Sequence, residues 1–262
     1  MFDLISFCPA LESVIRSAGA MILRRPSFTV SEKEGHANFV TDIDQAVEKH
    51  LISGLTSLLP GSQVISEEKD NDSLTDAFTW IIDPVDGTTN MIHDYRCSAV
   101  SIALMQDRHP VIGMVFQPYS DELFSAVLGH GAFLNGKPIH VSDTPFDKAL
   151  VAFGTSPYHP SLAEASMSLA LGFLRSCADI RRSGSAAMDL ASVACGRQDV
   201  YFELTLKPWD FAAGSLLVTE AGGCFCTLSP DSANSVWSKD AGVLASNKAC
   251  FDPACQLLTV SD

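Results

Sequence analysis

The sequence is organised around the stretch Trp80-Ile81-Ile82-Asp83-Pro84-Val85-Asp86-Gly87-Thr88-Thr89-Asn90. Its first three residues are apolar and predict the end of a buried strand. Pro84 fixes φ and lacks an N–H group, so we expect the strand's hydrogen-bond ladder to stop there. Gly87 permits a tight turn, and Thr88 or Thr89 is well placed to cap a short helix that follows.

The two aspartates of this stretch predict a cation site. Asp83 and Asp86 lie on a rigid corner between a strand and a helix, where both carboxylates can converge. The N–H groups of Gly87 and Thr88 should point out of the helix start beside them. Paired carboxylates next to a helix N-terminus can hold hard cations while the amides bind a phosphate. A turn with two solvated aspartates is the simpler alternative, and this stretch alone leaves both open.

Composition indicates a soluble globular protein with a sizeable core. The chain has 262 residues, of which 47% are hydrophobic and 18% charged. Apolar runs are shorter than a membrane span, and no basic region precedes an apolar stretch at the N-terminus, so neither a membrane anchor nor a signal peptide is expected. The eight cysteines are scattered without a CxxC pair, which favours buried thiols and a reducing cytoplasm.

The net charge of −14 disfavours nucleic acid as a partner. An anionic small substrate remains compatible with this charge, because bound divalent cations reverse the sign of the potential locally.

The periodicity of apolar residues divides the chain into two halves. Helical spacing over 11–22 and 41–58 predicts two amphipathic helices, and strands over 98–105, 111–116 and 123–128 predict an antiparallel sheet. From about Pro145 strands and helices alternate. We therefore predict a layered α/β protein with an α+β subdomain over 1–145, which carries the metal-binding corner, and a smaller mixed α/β subdomain over 146–262.

Four carboxylates follow an apolar strand or open a helix: Glu67, Asp83, Asp86 and Asp210. Together they form the oxygen environment that Mg²⁺ or Mn²⁺ prefers, and Zn²⁺ does not. Taken singly, Asp210 is a helix N-cap after Pro208, and Glu67 is a solvated residue after a strand. Asp44 likewise completes a capping box with Thr41.

Longer motifs resemble the inositol monophosphatase family of Mg²⁺-dependent, lithium-sensitive phosphomonoesterases. They comprise 67–68, 83–90 and 209–223, with further similarity at 38–44, 131–136 and 182–187. Motifs in the right order and at the right separation are far more specific than any one alone. The similarity extends over nearly the whole chain.

This resemblance implies an αβαβα sandwich that hydrolyses a small phosphate monoester, with inositol monophosphate as the expected substrate. It implies two or three Mg²⁺ ions, with Mn²⁺ as an alternative. One ion would be held by Glu67, Asp83 and the carbonyl of Val85, and a second by Asp83, Asp86 and Asp210. Glu67 would also face a weaker third ion.

The resemblance also implies roles for other residues. Glu67, Thr88 and Asp44 would be catalytic, and Thr88 with Asp44 would orient and deprotonate the attacking water. A loop over 32–38, with Lys33, would close over the site, and the protein would be a homodimer. Substrate contacts would come from Asp86, Gly87, Thr88, Gly184, Ser185, Ala186, Glu203 and Asp210.

One segment departs from the family pattern, and two other functions remain as alternatives. Segment 91–97 brings the charges of Asp94 and Arg96 close to the site's mouth, which leaves the substrate in doubt. The same metal site would serve a 3′(2′),5′-bisphosphate nucleotidase or a fructose-1,6-bisphosphatase. Against these, Glu203 favours hydroxyl recognition, because a carboxylate repels a second phosphate. A regulatory or scaffolding protein that retains the fold is the alternative of another class.

Overall fold

The computed structural model describes residues 3–24, 28–32, 39–69, 74–228, 237 and 239–259. The helices are α1 (Leu4–Leu23), α2 (Asp42–Leu58), α3 (Thr88–Ile92), α4 (Ala163–Leu174), α5 (Ala186–Ala194), α6 (Pro208–Glu220) and α7 (Lys248–Thr259). The strands are β1 (Val30–Glu32), β2 (Phe39–Thr41), β3 (Gln63–Ser66), β4 (Thr79–Asp86), β5 (Ala99–Gln106), β6 (His109–Gln117), β7 (Glu122–Val127), β8 (Ala132–Leu134), β9 (Lys137–Ile139), β10 (Leu150–Phe153), β11 (Asp179–Arg181), β12 (Val200–Leu206), β13 (Cys224–Thr227) and β14 (Ala241–Ser246).

Two large sheets form the frame of the molecule. The first has seven strands in the order β3-β4-β5-β6-β7-β8-β9, antiparallel except for the parallel pair β3–β4. The second has five strands in the order β11-β10-β12-β14-β13, with β10 parallel to both of its neighbours and β14 antiparallel to both of its own. β1 and β2, which the sequence analysis missed, form a separate two-stranded ribbon.

Helices cover both faces of each sheet. α1 and α2 pack on the outer face of the seven-stranded sheet, α5 and α6 lie between the sheets, and α4 and α7 cover the five-stranded sheet. β5 is buried on both faces along nearly its whole length, which requires such two-sided cover. The predicted αβαβα sandwich is confirmed.

The chain leaves the seven-stranded sheet at Ile139 and enters the five-stranded sheet at Leu150. The predicted subdomain boundary at 145/146 lies between these two residues. α5 and α6 pack against both sheets, and one hydrophobic core includes residues of both halves. The division into two subdomains stays a prediction.

α1 begins well before the predicted apolar stripe, because Asp3 caps it. Asp3 Oδ1 accepts hydrogen bonds from the N–H groups of Ile5 and Ser6 at 3.1 and 3.3 Å. By length and composition α1 could cross a membrane, and it is the one helix of the described residues that meets both criteria. Its stripe, which includes Leu11 and Ile15, is buried in a cluster with α2 and the seven-stranded sheet, as in a core helix.

The structure corrects the prediction that Pro84 ends its strand. β4 pairs with β5 at Asp83–Ser101 and again at Asp86–Ala99, so three steps on β4 match two on β5. Pro84 lies in this bulge, where the ladder needs no N–H donor. The bulge turns the strand so that both aspartates come to the same end of the sheet.

The cysteines are less buried than predicted. All eight are free thiols, and seven of them are only half-buried, including Cys224 and Cys226 in β13; Cys250 alone is buried.

A glycine in the sheet controls how closely α6 approaches. A Cβ on Gly113 in β6 would lie 2.7 Å from the carbonyl oxygen of Ala213 in α6. Because a helix backbone cannot give way like a side chain, we expect Gly113→Ala to lower the free energy of unfolding by about 1–3 kcal/mol. Urea denaturation measures this.

Gly172→Ala in α4 is the matched control, since no atom lies within 4 Å of its added Cβ. It should stabilise the protein by about 0.4–1 kcal/mol. Equal effects of the two variants would contradict the tight packing of α6 on the sheet.

Candidate active site

Three carboxylates converge at the end of β4. Single oxygens of Asp83, Asp86 and Asp210 all lie within 4.8 Å of one another. The bulge of β4 supplies the first two, and the first turn of α6 supplies Asp210. Burial, followed by the charge of Glu67, raises the pKa of Asp83 well above its usual range. Burial and the charge of Asp86 do the same to the pKa of Asp210, and burial raises the pKa of Asp86 to about 6.

These shifts have one physical meaning. Close like charges shielded from water raise the energy of the ionised state, so a bound cation would favour the ionised form of all three carboxylates. Oxygen donors in a buried group fit a hard divalent cation such as Mg²⁺. The chemistry of the donor set therefore agrees with the predicted metal site.

Glu67 lies at the edge of this cluster. It directly follows Ser66, the last residue of β3, which pairs in parallel register with Ile82, so Glu67 comes level with Asp83 in the adjacent β4. Among the described residues it is outside the group of oxygens within 4.8 Å. The carbonyl oxygen of Val85, also predicted as a ligand, lies 3.0 Å from Thr88 Oγ1.

The structure corrects the prediction that Thr88 or Thr89 caps α3. Gly87 is the N-cap, with φ of 88° and no side-chain cap hydrogen bond. A Cβ at that position would lie 2.9 Å from the carbonyl oxygen of Cys97, so both the conformation and the space require glycine. Thr88 Oγ1 instead donates to Asp44 Oδ1 at 2.7 Å.

Asp44 contacts the partner residues of both of its predicted roles. Its Oδ2 accepts hydrogen bonds from the N–H and the Oγ1 of Thr41, at 2.8 and 2.5 Å, which caps α2. Its Oδ1 faces Thr88. One carboxylate oxygen of Asp44 thus caps a helix, and the other contacts Thr88 at the site.

Asp86 connects the carboxylate cluster to α5. Its Oδ2 accepts from Ser185 Oγ at 2.5 Å and from the N–H of Ala187 at 2.8 Å. Ser185 is the N-cap of α5, and Gly184 before it has φ of 86°. The predicted substrate-side turn is therefore held directly by a predicted metal ligand.

Sequence reasoning missed the residues that support this turn. Asn90 Nδ2 donates to the carbonyl oxygens of Cys97 and Ser183 at 2.7 and 2.9 Å. Ser183 Oγ donates to Asp189 Oδ2 at 2.6 Å, and burial raises the pKa of Asp189 to about 7. The signal was a carboxylate in the otherwise apolar sequence of α5.

Glu203 is turned into the protein. It is 6% exposed; its Oε1 accepts from the N–H and Oγ of Ser156 at 2.7 and 3.2 Å, and its Oε2 accepts from the Tyr201 hydroxyl at 2.7 Å. Ser156 has a left-handed φ of 44°, which these hydrogen bonds offset. Gly154 is needed because a Cβ there would overlap the Glu203 carboxylate.

That Glu203 repels a second phosphate stays a prediction. Glu203 lines the cavity, burial raises its pKa, and both of its carboxylate oxygens have protein donors. Through Ser156 the residue also holds the loop over 154–159. Whether a substrate hydroxyl also reaches it stays a prediction.

One cavity of about 960 Å³ collects these groups, and apart from Asp44 every predicted site residue lines it. Asp94 and Arg96 are not among the lining residues and lie 3.5 Å from each other as an exposed ion pair. In the predicted closing loop, Glu32 ends β1, and residues 33–38, Lys33 included, lie outside the described part of the chain.

A five-layered sandwich with converging carboxylates and a hydroxyl–carboxylate pair in one cavity is typical of metal-dependent phosphatases. The family model for the inositol monophosphatase family matches residues 6–259. The chain belongs to the inositol monophosphatase family. The members and structures of this family are phosphoric monoester hydrolases that depend on Mg²⁺, and the protein is therefore a phosphoric monoester hydrolase.

Individual relatives agree with this assignment. The chain is 42% identical over 201 residues to inositol monophosphatase 2 of Solanum lycopersicum, covering 73% of this chain and 76% of that one. It is 40% identical over 213 residues to the Nus factor SuhB of Escherichia coli K12, covering 79% and 80%. The solved inositol monophosphatase of Anabaena (Nostoc) sp. PCC 7120 superposes with a TM-score of 0.85 at 32% identity, covering 98% and 97%.

The two roles of Asp44 can be separated by changing its partners. Thr41→Ala removes the cap and should lower the free energy of unfolding by about 1 kcal/mol with little loss of rate. Thr88→Ala should lower kcat at least about a hundredfold with little change in Tm, because it removes a group that acts on the reacting water. Asp44→Asn should show both losses. Thermal unfolding and initial rates on all three variants test the division; a normal rate in Thr88→Ala would contradict it.

Proposed function

We propose that this protein hydrolyses small phosphate monoesters with Mg²⁺, and that inositol monophosphate is its first candidate substrate. The observation that carries the proposal is the convergence of three carboxylates in one cavity, which Thr88 also lines while it donates to Asp44. Relatives named inositol monophosphatase support the substrate.

The proposed metal ligands are Asp83, Asp86 and Asp210, together with Glu67 and the carbonyl of Val85. Two ions with a third, weaker one are the proposed complement, and Mn²⁺ is an alternative. When bound, Mg²⁺ supplies charge neutralisation for the phosphate and lowers the pKa of a coordinated water. In the metal-free protein the clustered carboxylates repel one another. Cation binding relieves this repulsion, and it is favourable for that reason.

The chain's own groups orient the water and the phosphate. Thr88 Oγ1 donates its proton toward Asp44, so its lone pairs can accept a hydrogen bond from a water molecule. Asp44 can in turn take up the proton that Thr88 receives. The N–H groups of Gly87 and Thr88 open α3 without intrahelical partners, and they are the proposed phosphate donors.

Two other functions are weaker candidates. A bisphosphate nucleotidase or fructose-1,6-bisphosphatase would use the same carboxylates. Relatives that carry the name Nus factor keep a regulatory or scaffolding role open as well. The complete set of carboxylates favours hydrolysis, since a protein that acts only through protein contacts has no need of it.

Metal removal tests the proposal. With Mg²⁺ the purified protein should hydrolyse inositol 1-phosphate, and EDTA should abolish the activity until Mg²⁺ is restored. Asp83→Asn should lower kcat by at least about a hundredfold, because its charge is needed mainly in the transition state. Asp121→Asn, an exposed aspartate paired with Arg16, is the control and should keep full activity. Near-normal rates in Asp83→Asn would sink the assignment.

We also propose a cytoplasmic homodimer. Eight free thiols are compatible with a reducing compartment. On the outer face of α4, Met167, Leu171 and Leu174 are 56%, 47% and 44% exposed, which is the character of a surface that a second copy would cover.

The oligomeric state can be checked on this face of α4. Light scattering coupled to size exclusion should give twice the chain mass for the wild type. Met167→Glu combined with Leu171→Glu should give a monomer, because burying two carboxylates in an apolar interface is costly. Ser168→Glu on the same helix is the control. A wild-type monomer would contradict the proposal.

A further inference from the structure

Arg182 lies at the turn that opens α5. It is exposed and lines the cavity. Its Nη2 lies 3.3 Å from Thr155 Oγ1. Its Nη1 lies 2.7 Å from where a Cβ on Gly184 would be, so the guanidinium sits directly over the substrate-side turn.

No carboxylate of the described residues forms an ion pair with Arg182. Its neighbour Arg181 pairs with Asp179, and Lys207, another cation that lines the cavity, pairs with Asp240 at 2.8 Å. Among the described residues its hydrogen-bond partner is the Thr155 hydroxyl, and its charge also acts on the Glu203 carboxyl. Since a guanidinium has five N–H donors, the others can bind a ligand.

Two carboxylates near this turn have protein donors of their own. Glu203 accepts from Ser156 and Tyr201, and Asp189 accepts from Ser183 and from Gln198 Nε2 at 3.1 Å. Burial raises the pKa of both carboxyls, so they oppose an incoming anion less than solvated carboxylates would. The Arg182 charge acts against this rise at Glu203, so the guanidinium and that carboxyl are close enough to interact.

We propose that Arg182 forms a subsite for a second anionic group of the substrate, a phosphate or a carboxylate. This inference rests on the proposed function, because the first anionic group is the scissile phosphate at Asp83, Asp86 and Asp210. A planar guanidinium binds either group through two parallel hydrogen bonds, and Thr155 supplies a further hydroxyl. At about 960 Å³ the cavity is near the upper end of the usual range for ligand sites, so it has room for both groups.

Steady-state kinetics with three probes tests the subsite. Inositol 1-phosphate carries a neutral alcohol part, fructose 1,6-bisphosphate carries a second phosphate, and 3-phosphoglycerate carries a carboxylate. Wild type should hydrolyse inositol 1-phosphate and at least one of the two probes that carry a second anionic group. Arg182→Gln should raise KM for that probe at least about tenfold, with kcat within about twofold and KM for inositol 1-phosphate raised less than about threefold.

Two comparisons separate a charge effect from a structural one. Arg181→Gln, the matched control outside the cavity, should change no KM. Arg182→Lys should recover part of the lost affinity, because it restores the charge without the bidentate geometry. Added salt should raise the wild-type KM for the probe with a second anionic group. The KM of Arg182→Gln for the same probe should stay nearly unchanged. The response of the phosphate and carboxylate probes identifies which anion the subsite takes.

Each contrary result has a distinct meaning. An equal rise of KM for all three probes would overturn the inference and place Arg182 on the scissile phosphate or on a hydroxyl. Unchanged KM values in Arg182→Gln would remove it from the site. If the wild type hydrolyses inositol 1-phosphate but neither probe with a second anionic group, the subsite is overturned and the proposed function is not. A wild type that hydrolyses no monoester with Mg²⁺ would overturn the proposed function as well.

Discussion

Repulsion among three converging carboxylates, two of them buried and one half-buried, is the constraint on which the rest of this structure depends. Each is held in place by a main-chain N–H group: Val85 donates to Asp83 at 3.0 Å, Ala187 to Asp86 at 2.8 Å, and Lys207 to Asp210 at 2.8 Å. The backbone thus engages one oxygen of every pair and leaves the other for a cation. Because the pKa values of these groups are raised, a bound cation would favour their deprotonated form.

The same carboxylates join the two sheets. Asp86 ends a strand of the seven-stranded sheet, yet its partners Ser185 and Ala187 open a helix that precedes a strand of the other. Asn90 adds a second link through the carbonyl of Ser183. The cavity therefore exists only when both halves of the chain are folded together, and separating the sheets would leave Asp86 without its donors.

Sequence reasoning worked where the signal is local and failed where a partner is distant in the chain. The first helices, the antiparallel strands and the converging aspartates follow from periodicity and turn residues, and the five layers from the family resemblance. The bulge at Pro84 depends on how β5 pairs with β4, and the inward turn of Glu203 depends on Ser156 and Tyr201. The sequence does not specify where the side chain of Glu203 points, so its burial could not be predicted.

Glu203 and Arg182 set the charge of the cavity beyond the metal ligands. Around Asp83, Asp86 and Asp210, carboxylates require cations before an anion can enter. Glu203 accepts hydrogen bonds from Ser156 and Tyr201, and the charge of Arg182 opposes the rise in its pKa, so these two charges offset each other in part. Gly154 makes this arrangement possible, since any side chain there would push Glu203 aside. A relative with a larger residue at this position would separate the carboxylate from these donors, and it would oppose a second anionic group more strongly than this protein does.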